Sequence, residues 1–371
     1  MKTFIFIPFS FSLYYINCLL PFINIMLENG SVNGTTLTTY IYGHINPDSD
    51  AIISPLVLAD YMKKMGSPNN IIPCRLGNLN KESTYILNFF KVKEPLLITD
   101  LSNADEVILV DHNAPPQSLD FHNANIVGLI DHHAITGFET TDPIEIITRP
   151  VGCTCTILYQ LYRQNNVTIS KEIAGLIVSA IISDTLLLKS AITTKEDIEV
   201  VEYLSNYIDM NYKNFGYDLL KAGTDVSDLS ESKIINLDSK AYKVNGYMIQ
   251  IAFLNSIDVD EVLKRKEKLL NEINRFIDSK NVQLFVLVIV DINVMDSTIL
   301  VSGKFDKVVE TAFNVTIIDN EAFLKGITSR KKEVYPSIAK VLNEMKEYEE
   351  YGESNWIHLN FILILALISF I

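Results

Sequence analysis

The sequence predicts an α/β protein of two domains: a parallel β-sheet flanked by helices, followed by a smaller α/β domain with a mixed sheet. Its 371 residues are 48% hydrophobic, which is enough for two cores. From Leu37 to about Lys221, short β-branched runs alternate with helical stretches, the pattern of βαβ units. A polar stretch, Gly223 to Ser232, then reads as a linker before a second series of strands and helices.

In the first domain, three apolar runs predict strands: Leu37–Tyr42, Val107–Val110 and Ile126–Ile130. The stretch Ala51–Met65 has helical spacing, and Gly66 follows it as a stop signal. In open α/β sheets, ligands bind outside the carboxyl ends of the strands. The residues that follow each strand are therefore the candidates for function.

Four short blocks after apolar runs are rich in aspartate, and three of them also contain histidine. The blocks are Gly43–Asp50, Val110–Asn113, Ile130–His133 and Ser183–Thr185. Imidazole and carboxylate ligands without a nearby thiolate favour Mn²⁺, Co²⁺ or Fe over a structural zinc. Acids collected at one end of a sheet would repel each other unless cations held them. The pattern predicts a metal site that carries out chemistry.

The acids are predicted to reach this edge from helix ends as well as from strands. Pro47 precedes Asp48, so Asp48 and Asp50 fall at the start of a helix, where the helix dipole favours anions. The run Gly175–Leu188 is nearly all apolar, so Asp184 enters from a buried helix. A carboxylate in that environment requires a cation partner, because its unpaired burial costs several kcal/mol.

The second domain is predicted from a further set of apolar and helical runs. Strands are expected at Met248–Leu254, Leu284–Asp291 and Thr298–Ser302, and helices at Asp258–Lys280, Lys307–Phe313 and Pro336–Glu350. Between the last two helices lies Ser329–Lys332, a basic cluster in an acidic protein. Alone, such a cluster is usually a solvated run of charges, so its function depends on context.

Charge and cysteine content limit the partners and the compartment. The net charge of −14 excludes a surface that binds nucleic acid or anionic membrane over the whole protein. A phosphorylated substrate remains compatible, provided that metals and a few basic residues reverse the local field. Four cysteines without a CxxC pair predict a reducing compartment, the cytoplasm. Cys153 and Cys155 are expected to be semi-buried in a turn that leads into a helix.

The predicted organisation has five segments. They are an apolar N-terminal extension over 1–35, a metal-binding domain over 36–222, a linker over 223–236, a substrate-binding domain over 237–350 and an apolar tail over 351–371. The ends are either membrane signals or extensions outside the folded unit. The tail is shorter than the ~20 residues of a spanning helix, and no cleavage motif follows the first segment. Membrane association through these ends is the alternative to the cytoplasm.

The order of the motifs resembles family II inorganic pyrophosphatases, the manganese-dependent members of the DHH phosphoesterase superfamily. The motifs are GHxNPDxD at 43–50, VDHN at 110–113, IDHH at 130–133, SD at 183–184, LKAG at 220–223 and SRKK at 329–332. The resemblance covers about Leu37 to Lys346 and both domains. It implies a DHH domain followed by a DHHA2-like domain, with hydrolysis of pyrophosphate to two phosphates at the domain interface, and a homodimer.

The resemblance also assigns roles to individual residues. One Mn²⁺ would be held by His44, Asp48, Asp111 and Asp184. The second would be held by Asp50, Asp111, His132 and Asp184, so that Asp111 and Asp184 bridge the two ions. His133 would face the substrate as a hydrogen-bond donor or acid. The two phosphates would be bound by Lys221, Arg330 and Lys331. His112 and Asp131 would support the ligands.

This assignment is chemically consistent. Four ligand carboxylates balance the charge of two divalent ions, and three basic residues offset pyrophosphate that arrives with Mg²⁺. Two metals ~3.5–4 Å apart can hold a bridging water and lower its pKa from ~15.7 to near 7, which supplies hydroxide at neutral pH. Because the metals and the basic cluster lie on different domains, closure over the substrate is expected.

Two alternatives belong to different classes. The first is another DHH phosphoesterase, such as a short-chain polyphosphatase, an exonuclease or a cyclic-dinucleotide hydrolase. The chain has no Gly-Gly dipeptide of the kind that nuclease and dinucleotide relatives carry, whereas a polyphosphatase could use a similar site. The second is an inactive, membrane-tethered scaffold, which would have little reason to retain the full ligand set. Co²⁺ and Zn²⁺ also suit these ligands.

Overall fold

A computed structural model of the protein describes residues 36–120 and 124–350, with side chains up to residue 345. The chain divides into two compact units between Gly223 and Thr224, and each unit is described by itself. The predicted extensions over 1–35 and 351–371 lie outside the described residues. Within the described residues, no helix combines the length and the apolar character that a membrane span needs.

The first unit contains a six-stranded sheet in the order β3-β2-β1-β4-β5-β6. Its strands are β1 (Thr38–Tyr42), β2 (Asn70–Arg75), β3 (Leu96–Leu97), β4 (Glu106–Val110), β5 (Ile126–Asp131) and β6 (Glu145–Thr148). Every neighbouring pair is parallel. The predicted parallel sheet and its three principal strands are therefore confirmed. Since β1 lies between β2 and β4, the strand order reverses between β1 and β4, and a crevice opens beyond their carboxyl ends.

Six α-helices accompany this sheet in the described part of the first unit. They are α1 (Ser49–Lys64), α2 (Lys81–Phe90), α3 (Thr154–Gln164), α4 (Lys171–Asp184), α5 (Lys195–Tyr207) and α6 (Tyr212–Thr224). Side-chain caps fix where several begin: Asp48, Asn80, Ser170 and Thr194 each accept a backbone N–H from the first turn. The main core packs α1, α3 and α4 against one face of the sheet, where β1, β4 and β5 contribute buried isoleucine and valine.

Close packing brings the start of α1 against the end of β1. A Cβ added to Gly43 would lie 2.5 Å from the carbonyl oxygen of Ala51. Only glycine fits this approach, which sets Asp48 and Asp50 beside the strand end. The GHxNPDxD block is therefore a strand, a tight turn and a capped helix start.

The second unit contains a five-stranded sheet in the order β11-β10-β9-β8-β7. Its strands are β7 (Asp238–Val244), β8 (Tyr247–Ser256), β9 (Leu284–Asp291), β10 (Asp296–Gly303) and β11 (Glu321–Leu324). Strands β8 and β9 pair in parallel, and the other neighbours are antiparallel. The predicted mixed sheet is confirmed, and β9 is buried along nearly its whole length.

In the second unit, the helices predicted at Lys307–Phe313 and Pro336–Glu350 are confirmed, and the one predicted at Asp258–Lys280 is divided in two. The helices are α7 (Glu231–Ile234), α8 (Val259–Leu263), α9 (Lys266–Lys280), α10 (Asp306–Phe313) and α11 (Tyr335–Glu350), and a π-helical turn over Arg330–Val334 precedes α11. The prediction of one helix over Asp258–Lys280 is wrong in its middle. The helix is interrupted at Arg265. The Arg265 guanidinium donates hydrogen bonds to the Val226 and Leu229 carbonyls and to the Glu231 carboxylate. These tertiary hydrogen bonds stabilise the interrupted arrangement more than a continuous helix would.

The prediction that Asp184 enters from a buried helix is confirmed: α4 ends at Asp184, and Leu186, Leu187 and Leu188 beyond it all have positive φ. One local expectation in the first unit is corrected. Cys153 and Cys155 are fully buried rather than semi-buried, because the chain enters α3 inside the core. Within the stretch predicted as a linker, Ile234 and Ile235 pack into the core of the second unit.

Candidate metal centre

The turn after β1 brings His44 between two carboxylates. Its Nδ1 lies 2.9 Å from the carbonyl oxygen of Ile45. Its Nε2 lies 3.4 Å from Oδ2 of Asp48 and 3.6 Å from Oδ2 of Asp111. A histidine that donates through one nitrogen to a carbonyl presents the other nitrogen as a lone pair, which is the usual arrangement of a metal ligand.

Asp50 is buried in the first turn of α1 and is held by two donors. Its Oδ1 accepts a hydrogen bond of 2.6 Å from the Ser54 hydroxyl, and its Oδ2 accepts one of 2.6 Å from the Thr154 backbone N–H. These bonds orient the carboxylate from two different helices, α1 and α3. Its position is therefore fixed by the fold.

Asp111 directly follows β4 and is buried at the centre of the cluster. Its backbone adopts φ 60°, a conformation that aspartate tolerates better than most residues. Oδ1 accepts a hydrogen bond from the Thr154 hydroxyl at 3.3 Å and lies 3.3 Å from Nε2 of His132. Asp111 thus stands between His44 on one side and His132 on the other.

The two histidines after β5 have different surroundings. His132 has its Nδ1 3.0 Å from the Val151 carbonyl oxygen, so its Nε2 faces the acids. His133 is 54% exposed, and its Nδ1 lies 2.9 Å from Oδ1 of Asp131. Burial would raise the pKa of Asp131, but its hydrogen bonds from His133 and Asn113 hold that pKa below the usual value. Asp131 therefore remains ionised and orients the exposed ring.

Asp184 closes the cluster at the end of α4. Its Oδ2 is buried and has no hydrogen-bond partner among the described residues. Burial and the charges of Asp50, Asp48 and Asp111 raise its pKa well above the usual range. An unpartnered buried carboxylate oxygen is costly. It is the strongest single indication that a cation belongs here.

The electrostatics of the whole cluster agree with that indication. Burial and the charges of Asp50 and Asp48 raise the pKa of Asp111 well above its usual range. Burial alone would lower the pKa of His44, but Asp48, the Ile45 carbonyl and Asp111 raise it to about 9. In the metal-free protein, Asp111 and His44 therefore keep their protons at a higher pH than usual. Metal binding would have to displace these protons.

The donor atoms converge into groups that fit metal ions. Atoms of His44, Asp48 and Asp111 lie within 4.8 Å of one another, as do atoms of Asp50, His132 and Asp184. A further group joins Asp111 to His132 and His133. The structure thus brings together all six residues predicted as metal ligands. The residues present fit two neighbouring divalent cations with mixed imidazole and carboxylate ligands.

A thiol-containing group lies beside these ligands but is poorly suited to metal binding. Cys153, Cys155 and Asp50 also have atoms within 4.8 Å of one another. Burial raises the pKa of the Cys155 thiol to about 11 and that of Cys153 well above its usual value. Both thiols therefore remain protonated, and protonated thiols are weak ligands.

The three residues predicted to bind phosphate are distributed over both units. Lys221 is exposed in the last turn of α6 in the first unit. In the second unit, Lys331 is exposed at the surface of the π-helical turn. Arg330 is partly buried: its Nη1 donates to the Asp238 carbonyl at 2.7 Å, and its Nη2 lies 2.7 Å from Oδ1 of Asp238.

Three residues that support the centre were not singled out from the sequence. Thr154 donates to both Asp50 and Asp111, as described above. Asp197 is fully buried and accepts hydrogen bonds from the Gly152 N–H at 2.8 Å and the Thr156 hydroxyl at 2.6 Å, which fixes the loop before α3. Glu82 accepts hydrogen bonds from two serines that adjoin three of the predicted ligands. None of the three lies in a histidine–aspartate block, so only the fold reveals them.

The fold and the centre define a class: a metal-binding α/β protein with a DHH-type first unit. The pattern of the DHH family N-terminal domain matches residues 38–181, and that of the DHHA2 domain matches residues 217–341. Both predicted domain types are confirmed.

Relatives and a solved structure identify the family. The chain is 42% identical over 306 residues to the manganese-dependent inorganic pyrophosphatase of Bacillus subtilis, covering 82% of this chain and 98% of that protein. It is 45% identical over 298 residues to a Brevibacillus brevis protein named "Probable manganese-dependent inorganic pyrophosphatase", covering 80% and 96%. A crystal structure of a candidate family II inorganic pyrophosphatase from Methanococcus jannaschii superposes with a TM-score of 0.59 at 36% identity, covering 82% and 99%. The chain belongs to the manganese-dependent inorganic pyrophosphatase family.

Proposed function

We propose that this protein hydrolyses inorganic pyrophosphate to two phosphates with two Mn²⁺ ions held by the six clustered histidine and aspartate side chains. The observation that carries the proposal is the buried, unpartnered Oδ2 of Asp184 beside two groups of converging ligand atoms. The family assignment independently supports manganese and pyrophosphate. When bound, the metals would supply an acidified water as the nucleophile and positive charge for the phosphate oxygens.

His44 and His132 are proposed to bind through Nε2, since both Nδ1 atoms face backbone carbonyls. Asp111 is proposed as a bridging ligand because it lies between them, within 3.6 Å of one ring nitrogen and 3.3 Å of the other. Thr154 holds Asp111 and Asp50 in orientations that leave carboxylate lone pairs for metal. Asp184 contributes an oxygen to which no other described group donates.

His133 is the proposed acid for the departing phosphate. Its Nδ1 faces the ionised Asp131 carboxylate, which favours a proton on Nδ1. Nε2 is then directed away from Asp131. Half of the side chain is exposed, as required of a group that meets a substrate from solvent. Asp131 would stabilise the positive ring that can donate a proton or hydrogen bond to the leaving oxygen.

Lys221, Arg330 and Lys331 are proposed to bind the two phosphates. Arginine can grip a phosphate with two parallel hydrogen bonds, whereas lysine acts as a point charge. Arg330 has its guanidinium oriented by Asp238, and Lys331 beside it is exposed and accessible. These cations would offset the charge of a substrate that arrives with Mg²⁺.

We propose a cytoplasmic homodimer. Three buried free cysteines, Cys74, Cys153 and Cys155, are compatible with a reducing compartment. The dimer rests on the family resemblance alone. Co²⁺ is the proposed substitute for Mn²⁺, because imidazole and carboxylate ligands suit both ions.

The test is phosphate release by the full chain loaded with Mn²⁺, using pyrophosphate, tripolyphosphate and a cyclic dinucleotide as separate substrates. We expect rapid turnover of pyrophosphate and little of the others. Preference for tripolyphosphate would identify a polyphosphatase instead. A protein that binds Mn²⁺ but releases phosphate from none of the three would contradict the proposed function.

A further inference from the structure

Glu82 lies in the first turn of α2, outside every histidine–aspartate block. An acid in a helix's first turn ordinarily interacts with the helix dipole and points to solvent. Glu82 instead turns towards other helices: its Oε2 accepts hydrogen bonds from the Ser49 hydroxyl, at 3.2 Å, and from the Ser183 hydroxyl. One carboxylate oxygen therefore joins α2 to the start of α1 and to the end of α4.

The two serines are placed where their anchoring matters for the metal ligands. Ser49 stands between Asp48 and Asp50, and Ser183 directly precedes Asp184. Since Asp50 and Asp184 must keep ligand atoms within 4.8 Å of each other although they come from different helices, a tie between those helix ends fixes their spacing. Glu82 supplies that tie without belonging to any of the converging groups found among the described residues.

A third segment packs against the same side chain. A Cβ added to Gly223 would lie 2.2 Å from both Oε1 and Cγ of Glu82, so a larger residue there would displace the Glu82 side chain. Gly223 ends the LKAG motif, two residues after Lys221, the proposed phosphate-binding lysine. The other face of the Glu82 carboxylate therefore supports the last turn of α6.

We propose that Glu82 is a positioning residue: its single carboxylate fixes the two helix ends that carry metal-binding aspartates and the helix turn that carries Lys221. This inference rests on the proposed function only for its effect on pyrophosphate; its effect on Mn²⁺ binding stands independently. Loss of a group that orients metal ligands typically weakens metal affinity 10–100-fold. A merely structural residue would lower thermal stability and leave metal affinity unchanged at temperatures below unfolding.

The experiment compares Glu82→Ala, Glu82→Gln and a matched control, Glu172→Ala. Glu172 occupies the same second position of its helix, α4, after a side-chain cap, but it is exposed. Mn²⁺ affinity is measured by titration followed through the signal of free Mn²⁺, and thermal unfolding is measured on the metal-free proteins. Hydrolysis is then measured at saturating Mn²⁺ to separate KM from kcat.

We expect Glu82→Ala to weaken Mn²⁺ binding about 10–100-fold and to raise KM for pyrophosphate. Glu82→Gln, which keeps an oxygen acceptor for the two serines, should recover most of the affinity, and Glu172→Ala should bind like the wild type. Ser183→Ala should weaken Mn²⁺ binding less than Glu82→Ala does. The double variant should bind Mn²⁺ about as weakly as Glu82→Ala alone, because both substitutions remove the same Ser183–Glu82 hydrogen bond.

Unchanged Mn²⁺ affinity in a folded Glu82→Ala would overturn the positioning role. If that variant does not fold, wild-type affinity in both Glu82→Ser and Ser183→Ala would overturn it instead. A wild type that binds Mn²⁺ but does not hydrolyse pyrophosphate, with affinity still lost in Glu82→Ala, would refute the proposed function and leave the positioning role intact.

Discussion

The acidic centre of the first unit and the basic cluster of the second, Ser329–Lys332, are built in opposite ways. The acids come from strand and helix ends distant in sequence; Asp50 and Asp111 are buried, and Thr154 orients both of them. The basic cluster is one short surface turn in which Lys331 and Lys332 are exposed. Among its basic side chains, Arg330 is held by Asp238 and by packing over the Phe253 ring.

The two sites therefore contribute to the stability of the protein in different ways. Burial of mutually repelling carboxylates destabilises the metal-free fold, and metal binding recovers that free energy, so metal affinity and stability are linked. The basic residues lose little solvation, and their contribution arises only when a phosphate is bound. Removing the charge of Asp111 or Asp184 should therefore raise the stability of the metal-free protein and lower activity, whereas substitutions in the second site should change activity alone.

The largest effect is expected for Asp111→Asn. Removing a charge between the two ligand groups should lower activity about 10³-fold or more, since several kcal/mol of transition-state stabilisation depend on the metals. The same change should raise the melting temperature of the metal-free protein, because it removes repulsion with Asp50 and Asp48. Phosphate release and thermal unfolding in chelator measure the two effects.

Asp142→Asn, at an exposed position of the same unit, is the control for Asp111→Asn and should change neither quantity. A metal-free Asp111→Asn protein less stable than the wild type would break the proposed opposition between stability and activity in the acidic centre.

An intermediate effect is expected for Arg330→Ala. Loss of charged hydrogen bonds to phosphate should raise KM for pyrophosphate about 10–100-fold. Mn²⁺ affinity and melting temperature should stay near the wild-type values, because the side chain is not in the core. Steady-state kinetics and metal titration test this separation.

The neighbouring Lys332→Ala serves as the control for Arg330→Ala. Its backbone N–H bonds Ser329, but its side chain is exposed, so we expect little change in KM. Equal effects of the two substitutions would mean that only the net charge of the turn matters, which would remove the special role of the arginine.

The smallest effect is a pH dependence confined to the acidic centre. The folded pKa of His44, about 9, lies above its unfolded value of 6.5. Its contribution to stability is complete below pH 6.5 and is lost as the pH rises towards 9. The raised pKa values of Asp111 and Asp184 act in the same direction, because each carboxyl ionises at a lower pH in the unfolded chain than in the folded protein, so stability falls as the pH rises between the two.

Metal-free protein should therefore melt several degrees lower at pH 9 than at pH 6.5, about 5 °C by the usual relation of free energy to melting temperature. With saturating Mn²⁺ the difference should shrink, because metal replaces the protons. A metal-free melting temperature that rises over this range would show that the acids are not coupled as described.

Much of the site was predictable because its signals are local. Each histidine–aspartate block follows a strand or opens a helix, and parallel strands bring their carboxyl ends to one edge. The residues that orient the ligands were not predictable in the same way. Glu82 and Asp197 act across 101 and 45 positions, on Ser183 and Gly152, and no spacing within the sequence marks such contacts.

The fold shows the same division between local and distant causes. Strand runs such as the one that forms β9 were recognisable from their β-branched residues. The break at Arg265 was not, because its causes are two carbonyls and a carboxylate more than 30 residues earlier. The helix end at Asp184 is followed by three leucines with positive φ, a conformation that leucine itself disfavours and that only the surrounding fold imposes.

We propose that the six clustered side chains hold two Mn²⁺ ions that are required for hydrolysis. This is tested by the number of Mn²⁺ ions bound per chain, measured by titration of metal-free protein, together with pyrophosphatase activity at each point. We expect two ions per chain, activity that appears as both sites fill, and loss of at least one ion in Asp184→Asn. One ion per chain with full activity, or unchanged binding in Asp184→Asn, would contradict the proposal.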